Sequence, residues 1–212
     1  MDKLLQELES LKNNLDKLNT ENISNLDLSK TILFIVDINN GFAKQGSLYS
    51  PRVEKLINPI EVFTKNICDK LNRVIAFTDS HTENSIELLS YPTHCLENSI
   101  ESDIIDELKD ISNLEIIAKN STNGFFALDN VNFENIDNII IVGDCTDICI
   151  YQFAITLKSY FNQNNIDKNI IVPMNLVDTY DIPHVHSAEL LNIVFLNSMI
   201  QNGINVVKEI LY

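Results

Sequence analysis

Four short runs of Ile, Val, Leu and Phe constrain the fold of this chain more than any other feature. They occupy residues 31–36, 74–78, 116–118 and 139–143. Each run is continuous rather than alternating, which is typical of strands buried on both faces of a parallel sheet. Helical patterns separate the runs. This alternation predicts an α/β fold. We expect a three-layer αβα sandwich around a doubly wound, mainly parallel sheet of five to six strands.

Turn residues and hydrophobic periodicity set the predicted boundaries of the elements. The predicted strands are 31–36, 73–78, 114–118, 138–142, 169–172 and 204–207. The predicted helices are one from Ser50-Pro51 through Leu71, a short one near 103–111 capped by Ser102, and two at 147–163 and 185–201. His184 and His186 are expected to begin the last of these helices.

Residues 1–29 form a separate opening, an amphipathic helix followed by a polar joint, before a single α/β domain predicted over 30–212. Leucines recur at helical spacing in this opening: Leu4, Leu5, Leu8, Leu11, Leu15 and Leu18. Such a stripe packs either on the body of its own chain or on a partner subunit. Packing on its own chain is the favoured interpretation.

Charge and cysteine usage exclude several classes of protein. The formal charge of −15 disfavours binding to nucleic acid or to an anionic membrane. No apolar stretch reaches the ~20 residues that a spanning helix requires, and the N-terminus lacks the apolar centre of a signal peptide. The four cysteines show neither zinc-finger spacing nor a C-x-x-C pair, so we expect reduced thiols in a cytoplasmic protein.

Chemically capable side chains follow the predicted strands. Asp37, Asp79 with His81, Lys119 and Cys149 each stand at or just beyond the end of an apolar run. Ligands of open α/β sheets bind in the crevice outside the carboxyl ends of the strands. An Asp, a Lys and a Cys brought together there predict a cysteine hydrolase.

Each of these residues also has a simpler interpretation when it is taken alone. A lone cysteine is usually a small buried hydrophobe, an Asp at a strand end is usually a cap, and a lysine usually lies at the surface. Cys149, however, begins a helical pattern, where the helix dipole and backbone donors lower a thiol pKa. Asp37 is then the candidate general base, and Lys119 the group that steadies its charge.

Three segments resemble the signature blocks of the isochorismatase-like cysteine hydrolases, a superfamily that includes nicotinamidases. They are Val36–Phe42, the segment around Lys119, and Gly143–Cys149, in matching order over about residues 30 to 207. The resemblance implies an Asp-Lys-Cys triad at Asp37, Lys119 and Cys149. It also implies a cis peptide bond at Asp144–Cys145, with the N–H groups of Cys145 and Cys149 as the oxyanion hole.

A second group of residues suits a divalent metal ion. Asp79, His81 and His94 offer one carboxylate and two imidazoles, although capping and ordinary loop roles stay open for them. The resemblance implies that these three residues bind Zn, Mn or Fe. Glu87, seven residues before His94, is the implied fourth ligand, and Glu83 is its competitor.

The resemblance further implies a small amide, most simply nicotinamide, as substrate and a homo-oligomer as the assembly. The metal would hold the ring nitrogen, and Phe42 with Phe125 or Phe126 would sandwich the ring. Two departures bear on the substrate, since Ser80 replaces the usual aromatic residue and the chain has no Trp. The alternatives are a metal-free hydrolase of a vinyl ether or ureido group, and a catalytically silent binding subunit.

Overall fold

A computed structural model describes residues 2–129 and 131–212. Within them, seven α-helices and eight strands follow one another along the chain. The helices are α1 (Asp2–Asp16), α2 (Asn40–Ala43), α3 (Pro51–Glu54), α4 (Ile57–Ile67), α5 (Asp106–Lys109), α6 (Tyr151–Gln163) and α7 (Ala188–Gln201). The strands are β1 (Glu21–Asn22), β2 (Thr31–Val36), β3 (Arg73–Asp79), β4 (Leu114–Lys119), β5 (Asn138–Gly143), β6 (Asn169–Pro173), β7 (Asn205–Val207) and β8 (Ile210–Leu211).

Six of these strands form one fully parallel sheet in the order β4-β3-β2-β5-β6-β7. The chain runs outward from β2 to one edge and then returns to β5, so the strand order reverses between β2 and β5. Side chains alternate between the two faces along each strand. Phe34 and Phe77 pack with α6 on one face, while Leu33 and Ile35 pack with α4 on the other. The predicted three-layer αβα architecture is confirmed.

The N-terminal helix packs on its own chain. In α1, Leu15 is buried against the cluster formed by α6 and α7, and Leu8 and Leu11 are partly buried there. The side-chain amide of Asn197 in α7 donates to the Leu11 carbonyl at 3.2 Å. The other end of the leucine stripe, at Leu4 and Leu5, is exposed. No helix in the described ranges is both long enough and apolar enough to cross a bilayer.

Three predicted helices have different boundaries in the structure. The helix expected from Ser50 to Leu71 is interrupted between α3 and α4, because Pro59 has no N–H to donate to the Lys55 carbonyl and its ring crowds that oxygen. The prediction that Ser102 caps a helix was wrong. Its hydroxyl donates to the Ser99 carbonyl, and α5 begins only at Asp106.

The last helix begins at Ala188, three residues later than predicted. His184 and His186 lie in a tight turn instead, in which the backbones of Ile182 and His186 exchange two hydrogen bonds of 2.8 and 2.9 Å. Asp181 accepts the Ala188 N–H at 2.9 Å and so satisfies the start of α7.

Candidate active site and metal centre

Asp37, Asp79 and Lys119 form a buried ionic cluster at the carboxyl end of the sheet. Asp37 follows β2 directly, while Asp79 and Lys119 are paired residues at the ends of β3 and β4. The Lys119 ammonium lies 2.9 Å from Asp37 Oδ2 and also contacts Asp79 Oδ1. All three side chains are almost fully buried, so little water screens these charges.

The backbone at Asp37 and at the end of β5 is unusual. Asp37 has a φ of +56°, a conformation that is costly for a residue with a Cβ and that concentrates at functional sites. Gly143 has a φ of +119°, and a Cβ there would lie 2.0 Å from the Val36 carbonyl oxygen. Only glycine therefore allows β5 to pass β2 so closely. The next peptide bond, Asp144–Cys145, is cis, as the resemblance implies.

Cys149 lies in a π-helical turn, Thr146–Ile150, that leads into α6. Within this turn the Ile150 N–H donates to the Cys145 carbonyl at 3.1 Å. The prediction of a helix from residue 147 holds, but its first turn is wound differently from the rest. Single π-turns of this kind occur frequently at functional sites. The turn places both Cys145 and Cys149 at the wall of the cavity described below.

The charges of this cluster set the protonation states. Burial, followed by the neighbouring Asp79 charge, raises the pKa of Asp37 to about 7, and Lys119 and Cys149 oppose that rise. Burial alone would lower the pKa of Lys119, but the charges of Asp37 and Asp79 raise it well above its usual range. Burial and the Asp37 charge raise the pKa of Cys149. The resting nucleophile candidate is therefore a thiol that needs a base.

Four side chains beside this cluster bring metal-ligating atoms together. One ligand atom from each of Asp79, His81, Glu87 and His94 lies within 4.8 Å of all the others. Asp79 Oδ2 is 3.5 Å from His81 Nε2 and 3.6 Å from His94 Nε2. Glu87 belongs to this group, and its competitor Glu83 is exposed outside it.

The hydrogen bonds of the two histidines leave the same ring nitrogen available in each. His81 Nδ1 lies 3.0 Å from Asn120 Oδ1, and His94 Nδ1 lies 2.7 Å from the Pro92 carbonyl. Such contacts orient a metal-binding imidazole. His81 Nε2 is buried without a hydrogen-bond partner among the described residues, which is costly unless a ligand occupies it. Two imidazoles and two carboxylates fit a divalent ion such as Zn, Mn or Fe.

A cavity of about 450 Å³ connects the nucleophile candidate with this cluster. Its wall includes Asp37, Cys149 and three of the metal-ligand candidates, Asp79, Glu87 and His94. Aromatic side chains supply part of the remaining wall: Phe42, Tyr49, Tyr91 and Tyr180. The volume suits a small aromatic molecule.

The expectation for two of the three candidate phenylalanines was wrong. Phe42 lines the cavity, and its ring centre is 5.6 Å from that of His94. Phe125 instead packs on Tyr160 of α6, and Phe126 is 73% exposed. Both belong to a 3₁₀ turn, Gly124–Ala127, whose glycine lies against Phe77 and thereby directs the turn toward the α6 side of the sheet.

Tyr180 is held in the cavity wall by His186. Their rings stack with centres 3.7 Å apart and planes at 20°. His186 Nδ1 lies 2.9 Å from the Tyr180 carbonyl, and its Nε2 lies 2.9 Å from Asp147 Oδ2. Asp147 belongs to the same π-turn as Cys149, so this contact ties the Tyr180 loop to the turn that carries Cys149. Sequence patterns gave no signal for this contact, because loop residues far apart in the chain form it.

Residues 31–203 match the family model of the isochorismatase domain. The chain belongs to the isochorismatase family. The match covers five strands of the six-stranded sheet, β2 to β6, and ends two residues before β7. It includes both the ionic cluster with Cys149 and the metal-ligand candidates. The chain is thus an isochorismatase-family hydrolase.

Known proteins similar to this isochorismatase-family hydrolase include several nicotinamidases. Nicotinamidase 1 of Arabidopsis thaliana is 29% identical over 209 residues, covering 84% of this chain and 85% of that protein. The yeast nicotinamidase Pnc1p bound to the inhibitor nicotinaldehyde is 19% identical with a TM-score of 0.70, covering 84% and 100% of the two chains. The pyrazinamidase of Pyrococcus horikoshii in complex with zinc is 19% identical with a TM-score of 0.65, covering 84% and 98%.

Proposed function

We propose that this protein is a metal-assisted cysteine amidohydrolase that converts nicotinamide to nicotinate and ammonia. The observation that carries the proposal is one cavity bounded by Cys149, Asp37 and the cluster of Asp79, Glu87 and His94. A nucleophile, its base and a site for a divalent ion therefore face the same small space. The names of the similar nicotinamidases support the choice of substrate.

Cys149 is the proposed nucleophile and Asp37 the proposed base. Asp37 takes the thiol proton, and the thiolate attacks the carbonyl carbon of the amide. A pKa near 7 suits Asp37 to accept this proton and then return it to the leaving nitrogen. The C–N bond breaks and ammonia leaves, with the acyl group held as a thioester on Cys149. Water then attacks the thioester, and nicotinate and the free thiol are released.

Backbone donors and Lys119 support this reaction in different ways. The backbone N–H groups of Cys145 and Cys149 are the proposed donors to the oxyanion, since both residues lie at the cavity wall near the start of a helix. Lys119 keeps Asp37 ionised before the proton transfer, because its ammonium lies 2.9 Å from that carboxylate. The proposal thus assigns each member of the buried cluster a separate task.

Asp79, His81, Glu87 and His94 are the proposed holders of the metal ion. When bound, the ion supplies a Lewis-acidic site for the ring nitrogen, which fixes the orientation of the amide. The partnerless Nε2 of His81 supports this assignment from within the chain. The zinc complex of the similar pyrazinamidase supports a divalent ion such as Zn, with Mn and Fe as further candidates.

Ammonia release from a panel of small amides tests the proposal, with metal content measured on the same preparation. We expect nicotinamide to be hydrolysed and about one divalent ion to be bound per chain. Release from a ureido substrate by metal-free protein would instead support the alternative hydrolase. Absence of turnover across the panel would favour the silent binding subunit and contradict the proposal.

A further inference from the structure

Asp144 is a further carboxyl group in the cavity wall, and the proposed reaction leaves it without a role. It follows β5 directly, as Asp37 follows β2, and the two strands are neighbours paired up to Val36 and Gly143. The Asp144 N–H donates to the Val36 carbonyl at 3.0 Å, which fixes Asp144 beside Asp37. Both residues line the cavity together with Cys149.

The side chain of Asp144 is buried and only half satisfied. The residue is 1% exposed. Its Oδ2 accepts a weak hydrogen bond from the Cys145 thiol at 3.4 Å. Its Oδ1 has no hydrogen-bond partner among the residues that the structure describes. A buried carboxyl oxygen without a donor destabilises the folded protein, so its retention at the cavity wall points to a donor supplied by a bound molecule.

The charge state of Asp144 fits this interpretation. Burial first, and then the negative charge of Asp37, raise the pKa of Asp144 well above its usual range. The neutral carboxyl does not repel the Asp37 carboxylate, yet it keeps an oxygen able to accept a hydrogen bond. The cavity therefore gains an acceptor without gaining a further charge.

The position of this acceptor selects its donor. Asp144 lies five residues before Cys149, and both line the same cavity. A substrate held against Cys149 therefore places the atoms of its scissile bond nearest to Asp144. Of these atoms, only the amide nitrogen carries N–H donors. A primary amide has two, and one of them can face Asp37, which later protonates this nitrogen.

We propose that Asp144 Oδ1 accepts a hydrogen bond from the NH₂ group of the substrate amide, so that Asp144 determines specificity for primary carboxamides. This inference rests on the proposed function and deepens it. Esters and aldehydes of the same acyl group have no N–H, so Asp144 should not stabilise their binding. A purely structural role would affect all these ligands alike.

The test compares nicotinamide with nicotinaldehyde, which presents the same ring and a carbonyl group but no N–H. In Asp144→Leu, a residue of similar shape without an acceptor, we expect kcat/KM for nicotinamide to fall about ten- to hundredfold. The inhibition constant of nicotinaldehyde should change less than about threefold. Asp144→Asn keeps an acceptor oxygen and should retain most of the amide activity.

Each other outcome overturns the inference. If Asp144→Leu weakened kcat/KM for the amide and binding of the aldehyde equally, Asp144 would have a structural role or would bind a water molecule. An unchanged kcat/KM for nicotinamide would show that the hydrogen bond is not made. Failure of the proposed function is distinguishable, because the wild-type enzyme would then neither release ammonia from nicotinamide nor bind nicotinaldehyde.

Discussion

Lys119 Nζ lies 2.9 Å from Asp37 Oδ2 and at the same time contacts Asp79 Oδ1. One ammonium therefore joins the proposed base to a proposed metal ligand. Lys119 ends β4 and Asp37 follows β2, so the side chain reaches across β3 to make this contact. The length of the lysine side chain makes this possible, and its burial removes the solvent that would weaken the contact.

Replacing Lys119 should affect both stability and activity. In Lys119→Met two buried carboxylates lose their ammonium partner, and we expect the free energy of unfolding to fall by about 3–5 kcal/mol. Ammonia release should be lost as well. Urea denaturation measures the first effect. Lys44→Met is the matched control, because its partly exposed pair with Glu107 should contribute less than about 1 kcal/mol. Equal effects of the two substitutions would contradict the role assigned to the buried cluster.

Metal content should depend on His81 and not on His184. We expect His81→Ala to lose the bound ion and most activity, because its Nε2 has no hydrogen-bond partner among the described residues and faces the carboxylate of Asp79. His184 lies in an exposed turn outside the cluster, so His184→Ala should keep both. Elemental analysis gives the metal content, and a chelator should lower wild-type activity until Zn or Mn is added back. Wild-type activity that does not change on addition of a chelator would contradict the proposed metal site.

Tyr180 should control substrate affinity through His186. His186 covers one face of the Tyr180 ring and is held by Asp147 Oδ2 at 2.9 Å. We expect His186→Ala to raise KM for nicotinamide several-fold while kcat changes little, since the reacting groups remain in place. His184→Ala is again the control. A fall in kcat at constant KM would show that this histidine acts on the chemistry instead.

The helix α1 should contribute to stability through its last turn. Leu15 is 3% exposed and packs in the core beside α7, so Leu15→Ala should lower the free energy of unfolding by about 2–5 kcal/mol. Leu4 is 70% exposed, and Leu4→Ala should change it by less than about 0.5 kcal/mol. Thermal or urea denaturation of both variants distinguishes them. Similar small effects would mean that α1 is not docked on this chain in solution.

The sequence predicted the sheet and the strand-end residues because both depend on local patterns. Continuous apolar runs identify buried parallel strands, and parallel strands bring Asp37, Asp79 and Lys119 to one edge. The sequence also contains a signal for the interruption of the 50–71 helix, since Pro59 cannot donate to a carbonyl in the preceding turn. The residues of the cavity wall could not be predicted in this way. Tyr91 and Tyr180 come from long loops whose paths are set by tertiary contacts such as that of His186 with Asp147.

The choice of Phe125 and Phe126 failed for the same reason. They were candidates to sandwich the substrate ring in a chain without Trp, but the 3₁₀ turn that carries them packs toward α6. For Asp144, the sequence predicts only a cis peptide bond to Cys145. The structure alone shows that its side chain is buried and that Oδ1 lacks a hydrogen-bond partner among the described residues. Hydrogen-bond satisfaction is a three-dimensional property that residue spacing does not encode.

Ammonia release from nicotinamide by Cys149→Ala, with Cys68→Ala as the matched control, tests whether Cys149 is the nucleophile. Both thiols are buried, but Cys68 lies at the end of α4, outside the cavity. We expect Cys149→Ala to fold normally and to lose at least about a thousandfold in kcat/KM, whereas Cys68→Ala should remain active. Full activity of Cys149→Ala would contradict the account.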